Sequence, residues 1–354
     1  MLSLLGSIYG KVADVRNRLY DLGVFETYDI GARTISIGNI TTGGTGKTPL
    51  VAYVAEILAA RSEKVCILTR GYGRENPKTR VLVSDGDQIC ANARESGDEP
   101  YELANKLLSK AIVIADSNRV AAAEWAKRKF GVTAFVLDDG FQHRKAKRDV
   151  DIVCVDATNP FGGGKVLPAG RLREPLANLK RADVVVITRA NLIEDISNLK
   201  SQISDLKADA AVFVSNNRIA SIRELEEFNA ETRRTQRKEE TEKVVLERTE
   251  SQLSELKKKA VFAFCGLGNP ENFFGQLKRE GYRINETKAF RDHYIYTQYD
   301  VSNIESLVRQ KGGGIIFTTA KDAVKLSDLK FEIPCYVVKI EIKIDDPEAF
   351  AALL

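Results

Sequence analysis

The sequence predicts a doubly wound α/β fold: a mostly parallel sheet with helices on both faces, followed by a second, smaller α/β domain. Short runs that are almost continuously apolar and β-branched recur along the chain. Helical patterns separate several of them. A glycine-rich turn joins the first such run to an apolar stretch of helical character. Strands buried on both faces of a parallel sheet lose the apolar–polar alternation of a half-exposed strand. Strand and helix in alternation is the signature of such a sheet covered on both sides.

The chain opens with an amphipathic helix. Leu4, Leu5, Ile8, Val12, Val15 and Leu19 recur at three- and four-residue steps, with Lys11, Arg16 and Arg18 between them. Such a helix either packs on its own domain or lies at a lipid interface. Strands are expected at 34–37, 65–69, 111–115, 133–138, 151–156 and 183–188, and helices at 50–60 and 119–130. The composition changes near residue 216. Residues 223–259 are dense in Glu, Lys and Arg and contain no glycine, as in long solvated helices or an insertion. A second α/β pattern follows, with strands at 261–265, 314–318 and 335–342 and a helix at 272–280. The expected division is therefore 1–211, a linker with a charged insertion at 212–259, and 260–354.

Composition narrows the function classes. The chain has 354 residues, enough for two domains, with 53 Lys and Arg against 49 Asp and Glu. A net charge of +4 gives no indication of nucleic-acid binding. The five cysteines are scattered and none forms a C-x-x-C pair, so buried thiols are expected, with no disulfide or metal site among them. No stretch is long and apolar enough to span a bilayer, and no basic segment precedes the apolar N-terminal residues as in a secretory signal.

The chemistry begins at 34–49, TISIGNITTGGTGKTP. A strand, a glycine-rich turn and Lys47-Thr48 ahead of a helix have the layout of a phosphate-binding loop, and make the predicted sheet P-loop NTPase-like. Backbone N–H groups at Thr42, Gly43, Gly44, Thr45 and Gly46 would close around phosphates, Lys47 would meet the terminal oxygens, and the Thr48 hydroxyl would reach Mg²⁺. The spacing is a variant: Thr41 stands where G-x-x-x-x-G-K-[ST] requires glycine. The run 134–143, AFVLDDGFQH, supplies the complement. Asp138 ends an apolar strand, where a carboxylate can hold Mg²⁺ or its water shell. Asp139 adds a second carboxylate, Gln142 an amide and His143 an imidazole.

Other segments carry chemistry with less definition. In 97–100, GDEP, Asp98 and Glu99 lie in a turn; Asp98 suits either a proton-accepting base or a helix start. The only histidines are His143 and His293, one in each expected domain and each beside acidic residues, which fits a site formed between the domains. Segment 70–74 (RGYGR) follows a strand. Segment 167–175 (LPAGRLREP) concentrates Arg171, Arg173 and Glu174, and guanidinium groups suit phosphate recognition. Segments 264–270 (FCGLGNP) and 318–322 (TTAKD) are candidate cleft loops.

Taken together, SIGNITTGGTGKTP, TRGYGR, GDEP, DDGFQHR, LPAGRLREP, FCGLGNP, FRDHY and TAKDAVK resemble one family, the tetraacyldisaccharide 4'-kinases of lipid A biosynthesis in Gram-negative bacteria. The segments run in the family's order over nearly the whole chain. The resemblance implies transfer of the γ-phosphoryl group of ATP, with Mg²⁺, to the 4'-hydroxyl of an acylated glucosamine disaccharide 1-phosphate. It implies a peripheral enzyme at the cytoplasmic face of the inner membrane, bound through the N-terminal helix; a monomer is expected. By the same resemblance Asp98 is the base, assisted by His293; Lys47 and Thr48 serve the triphosphate and metal; Asp138 and Asp139 are the acidic pair. Tyr72, Glu99, Arg119, Gln142, His143, Arg173 and Glu174 support the site or bind substrate. The chain departs from the pattern at Ala320, where an acidic residue is expected, and in the length of the charged stretch at 223–259. Two rivals share the loop. One is a membrane-associated ATPase switch of the partitioning type, which carries lysine where this chain has Thr42. The other is a P-loop kinase of a soluble metabolite.

Overall fold

The structure is a computed structural model and describes residues 2–207, 209–229, 250–292 and 294–354. Most of the charged insertion and His293 lie outside the described residues. The chain divides into two compact units, one formed by 1–216 with 342–354 and the other by 217–341. The expected division kept the C-terminal residues with the second domain, whereas residues 342–354 fold onto the first. The reason is aromatic packing that sequence spacing does not reveal. Phe350 is fully buried and meets Phe213 edge-on at 5.2 Å and Tyr53 at 6.1 Å. Arg61 also donates to the Leu354 and Ala351 carbonyls at 3.1 and 2.7 Å.

The first unit holds the strands β1 (Arg33–Asn39), β2 (Val65–Thr69), β3 (Val81–Ser84), β4 (Ala111–Ala115), β5 (Ala134–Asp138), β6 (Val150–Asp156), β7 (Val184–Thr188) and the first six residues of β8 (Ala211–Glu224). They lie in the order β8-β7-β6-β1-β5-β2-β4-β3. All pairings are parallel except β3 with β4. Five of the eight, β2, β4, β5 and β7 throughout and β1 after its first residue, are buried along their length, as are the last six residues of β6. This explains their unbroken apolar runs. The chain leaves β5 on one side of β1 and enters β6 on the other. That crossing makes the carboxyl end of β1 a topological switch point, where α/β folds bind ligands. α2 (Lys47–Ala60) packs Leu50, Val51, Val54 and Leu58 on the sheet, and α5 (Arg119–Phe130) buries Val120, Ala122, Ala123 and Ala126 in a separate cluster.

The N-terminal helix α1 (Leu2–Asp21) inverts the expected arrangement of a packed helix. Its buried residues are Gly6, Gly10 and Asn17. A side chain at Gly6 would come within 2.9 Å of the Val166 carbonyl, and Gly10 lies against Val166 and Pro175. Leu2, Leu4, Leu5, Ile8, Val12 and Val15 are exposed instead. Glycine lets two backbones approach closely, so the helix is held without using its apolar stripe. No described helix is long and apolar enough to cross a membrane.

In the second unit β9 (Ala260–Cys265), β10 (Arg283–Ala289), β11 (Ile315–Thr319) and β12 (Cys335–Ile344) form parallel pairs in the order β10-β9-β11-β12. A helix at Pro270–Arg279 follows β9 and another at Gln298–Gln310 precedes β11. Asp322 organises the turns at the strand ends. Its carboxylate accepts the Gly266 N–H (3.1 Å to each oxygen), the Tyr296 hydroxyl (3.0 Å) and the Thr319 hydroxyl (2.7 Å). The segments 264–270 and 318–322 therefore meet through Asp322. Ala320 starts the short helix that Thr319 caps.

Two glycines lock β1 to the turn after β5. A Cβ at Gly38 would lie 2.5 Å from the Phe141 Cβ, and one at Gly140 would lie 2.5 Å from the Ser36 hydroxyl. Gly38→Ala should therefore cost about 1–3 kcal/mol of stability. Urea unfolding checks this; an unchanged midpoint would show that the neighbours yield freely.

Candidate active site

The phosphate loop runs from the end of β1 to the start of α2. Gly43 (φ 110°) and Gly46 (φ 79°) take left-handed conformations that a side chain would strain. Gly46 is the N-cap of the 14-residue α2 and offers no side-chain cap, so the first amides of the helix are left for an anion. Lys47 and Thr48 are the first two residues of α2. Thr45 is buried and turned inward. Its hydroxyl accepts from Asn39 at 2.9 Å, and its carbonyl accepts the Thr188 hydroxyl at 2.8 Å. Arg189, left-handed at φ 58°, donates to the Gly44 carbonyl at 2.6 Å and pairs with Asp156 at the end of β6. Thr42 gives both its N–H (2.7 Å) and its hydroxyl (3.2 Å) to the Arg171 carbonyl.

β5 lies next to β1 and brings the carboxylate pair to the loop. Asp138 is buried and accepts the Thr69 hydroxyl at 2.8 Å. Burial, then the nearby charges of Glu99 and Asp139, push its carboxyl up to about 6. Asp139 has φ 52°, a left-handed conformation that Asp tolerates better than most residues. Its carboxylate lies 3.5 Å from the Lys47 ammonium and accepts Arg173 at 2.8 and 2.7 Å. Burial alone would raise the Asp139 pKa, but the Lys47 and Arg173 charges outweigh it and hold the group below the ordinary carboxylate value. Arg119, the first residue of α5, is buried and donates to the Asp138 carbonyl at 2.6 Å.

Gln142 and Glu174 brace these groups. Gln142 donates to the Asn39 carbonyl and to Glu174, each at 2.9 Å, and its carbonyl lies 3.4 Å from Arg173. Glu174 is buried and also accepts from Asn17 of α1 and, through both oxygens, from Arg181. Burial would raise its pKa, and these hydrogen bonds with the Arg181 charge lower it on balance. Arg16 of α1 donates to the Gln142 backbone at 2.9 Å. The N-terminal helix is thus fastened to the site itself. His143 is a neutral imidazole at neutral pH. Burial, then the Arg119 and Arg148 charges, lower its pKa to about 3. Its Nε2 is buried with no hydrogen-bond partner among the described residues.

The segment carrying Asp98 joins the short helix α3 (Ala93–Ser96) to α4 (Asp98–Lys106) and lies against the turn that follows β2. Gly97 (φ 94°) is the N-cap and Asp98 is the first helical residue, one place later than the cap position. A Cβ at Gly97 would lie 2.7 Å from the Tyr72 carbonyl, and one at Gly71 would lie 2.8 Å from the Ser96 carbonyl. The 71–73 and 96–98 turns therefore nest through their glycines. Tyr72 is 74% exposed. The charge of Glu99 bears on Asp138, which places the start of α4 beside the acidic pair.

The structure thus gathers Lys47, Glu99, Arg119, Asp138, Asp139, Gln142, Arg173 and Glu174, with His143 alongside, at the switch point. Tyr72 and Asp98 stand on the adjoining turns, and His293 lies outside the described residues. Sequence reasoning missed Asn39, Thr69, Thr188 and Arg189. Among the described residues no three acidic, histidine or cysteine side chains converge as a ready-made metal site. Two carboxylates and a hydroxyl suffice for Mg²⁺ when a ligand's phosphates complete the shell. Burial first, then the charges of Glu99 and Asp139, raise Asp138; a cation would relieve that repulsion, so the donor chemistry of Asp138 and Asp139 fits that role.

The chain also matches known proteins along its length. The model of the family described as tetraacyldisaccharide-1-P 4'-kinase matches residues 1–354. The tetraacyldisaccharide 4'-kinase of Halothermothrix orenii is 41% identical, covering 97% of this chain and 88% of the relative. That of Geobacter metallireducens is 34% identical over 98% and 95%. A crystal structure of LpxK from Aquifex aeolicus in complex with ATP superposes with a TM-score of 0.73 at 30% identity, covering 99% of this chain and 96% of that one. A phosphate loop facing an acidic pair, on a chain matched from end to end, makes this protein a kinase that belongs to the tetraacyldisaccharide-1-P 4'-kinase family.

Proposed function

We propose that the chain transfers the γ-phosphoryl group of ATP to the 4'-hydroxyl of a tetraacylated glucosamine disaccharide 1-phosphate, working at the cytoplasmic face of the inner membrane. The observation that carries this reading is the meeting of Lys47, at the head of α2, with Asp139, beside the buried Asp138. Phosphoryl transfer depends on positioning and charge neutralisation. The amides at 43–47 and the Lys47 ammonium hold the phosphates in line. Bound Mg²⁺ would supply charge neutralisation between Thr48, Asp138 and Asp139. Arg173 keeps Asp139 ionised and oriented, and Arg119 fixes the backbone at Asp138. Asp98 takes the proton of the sugar hydroxyl as its oxygen bonds to the γ-phosphorus and the bond to the ADP oxygen breaks. The family resemblance assigns to His293, which lies outside the described residues, the part of assisting Asp98. Tyr72, Glu99 and His143 contribute the surrounding surface.

The exposed apolar stripe of α1 supports the membrane reading. Packing uses its glycines and Asn17, leaving Leu4, Leu5, Ile8, Val12 and Val15 to the outside, where an interfacial helix would insert them.

Purified protein with ATP, Mg²⁺ and a detergent-dispersed disaccharide 1-phosphate acceptor should yield the 4'-phosphorylated product; turnover of a water-soluble acceptor alone would refute the assignment. Asp98→Asn should lower kcat by about 10²–10⁴-fold, the usual worth of a general base, with ATP affinity within a few-fold of the parent. Near-normal turnover would remove Asp98 from the base role. Replacing Leu5, Ile8 and Val12 together by Asn should release the protein from anionic liposomes in a sedimentation assay at unchanged melting temperature. Retention on the liposomes would assign the stripe to another purpose.

A further inference from the structure

Four cationic side chains surround the phosphate loop, and three of them have carboxylate partners. Lys47 and Arg173 both meet Asp139, and Arg189 pairs with Asp156. The fourth is Arg171. Its guanidinium lies over Gly43: a Cβ built there would be 2.8 Å from Nη2 and 3.7 Å from Cζ. Among the described residues that guanidinium makes no hydrogen bond or ion pair, although its backbone is firmly held. The Arg171 carbonyl takes the N–H and hydroxyl of Thr42, and its N–H donates to the Gly162 carbonyl at 3.4 Å. Its Cβ packs on Gly162, where an added Cβ would lie 2.6 Å away. Leu172, which is buried and bridges antiparallel to Thr41, separates it from Arg173. Arg171 and Arg173 therefore flank the loop, one at its glycine crown and one at the acidic pair.

We propose that Arg171 is a further catalytic residue, contacting the terminal phosphate of the bound nucleotide. This rests on the kinase reading above. Its uncompensated charge stands beside the amides that receive the phosphates, and a planar guanidinium matches two phosphate oxygens at once. The position also explains Thr42. Partitioning ATPases place a lysine there, whereas here the Thr42 hydroxyl and N–H fasten the segment that delivers a cation from residue 171. The charge needed at the crown of the loop comes from a different part of the chain.

The test is equilibrium binding of Mg·ATP and Mg·ADP to the full-length protein and its Arg171→Ala and Arg171→Lys variants, with no acceptor present, alongside melting temperatures. Arg171→Ala should weaken ATP by on the order of tenfold or more, the range of a charge-assisted contact. ADP binding should change far less, Lys should recover part of the ATP loss through its charge but not the two-point contact, and melting should be unaltered because the carbonyl contact to Thr42 persists. Equal losses for ATP and ADP, no loss for either, or a lowered melting temperature with failure of Lys to rescue would each overturn the proposal. No acceptor enters these measurements. A failure to phosphorylate the lipid would therefore count against the proposed reaction and leave the binding result standing.

Discussion

Asp139 ties three parts of the chain together. Its carboxylate receives Lys47 from the phosphate loop and Arg173 from the segment that runs beside that loop, while its own backbone turns left-handed at the end of β5. A carboxylate drawn partly out of water is costly unless it is paired and hydrogen-bonded; here two cations hold the half-buried Asp139 ionised. Its immediate neighbour Asp138 has the opposite balance. It is buried, faces Glu99 and Asp139, and has a raised pKa. Two adjacent carboxylates in one turn thus differ in proton affinity through their surroundings alone. Pairs pushed apart in this way are the usual mark of divided roles at a site.

Glycine governs how closely the pieces approach. Gly38 and Gly140 interlock β1 with the turn after β5, Gly71 and Gly97 nest the turns that carry Tyr72 and Asp98, and Gly6 seats α1 against Val166 and Ala169. Each sits where a single methyl group would strike backbone or a packed side chain. The N-terminal helix is the clearest case. It is joined to the site by polar bonds, Asn17 to Glu174 and Arg16 to the Gln142 carbonyl. Its attachment therefore leaves the apolar residues unused.

Much of this was legible in the sequence. The parallel strands announce themselves because burial on both faces removes polar residues, and β2 and β4 fall at the expected residues. The strands β3 and β10 do not, because both lie at sheet edges. β10, with the sequence RINETKA, is largely exposed and carries no apolar run. The return of residues 342–354 to the first unit rests on Phe350 finding Phe213 and Tyr53, a long-range packing that no local pattern encodes. In the site, the glycine turns and the Asp-Asp pair stood out by their rarity. Thr69, Thr188 and Asn39 did not, since a threonine or asparagine at a strand end is commonplace until a partner is seen. Arg171 and Arg173 were both conspicuous as arginines, but only the folded loop distinguishes the one that pairs with Asp139 from the one that has no partner among the described residues.

The Asp322 network has a consequence for how often this architecture is used. The second unit repeats the plan of the first: a buried strand, a glycine turn and a helix, at 260–279. In the first unit the amides at the glycine turn remain open to an outside anion. In the second, the protein's own carboxylate already receives the Gly266 N–H, and Asp292 stands 3.1 Å from where a side chain at Gly268 would be. The Gly266 amide is already taken by an internal carboxylate, and Asp292 is paired with Lys321 at 3.0 Å. One copy of the plan has become a socket and the other a sealed joint. The difference lies in where the acid that meets those amides comes from.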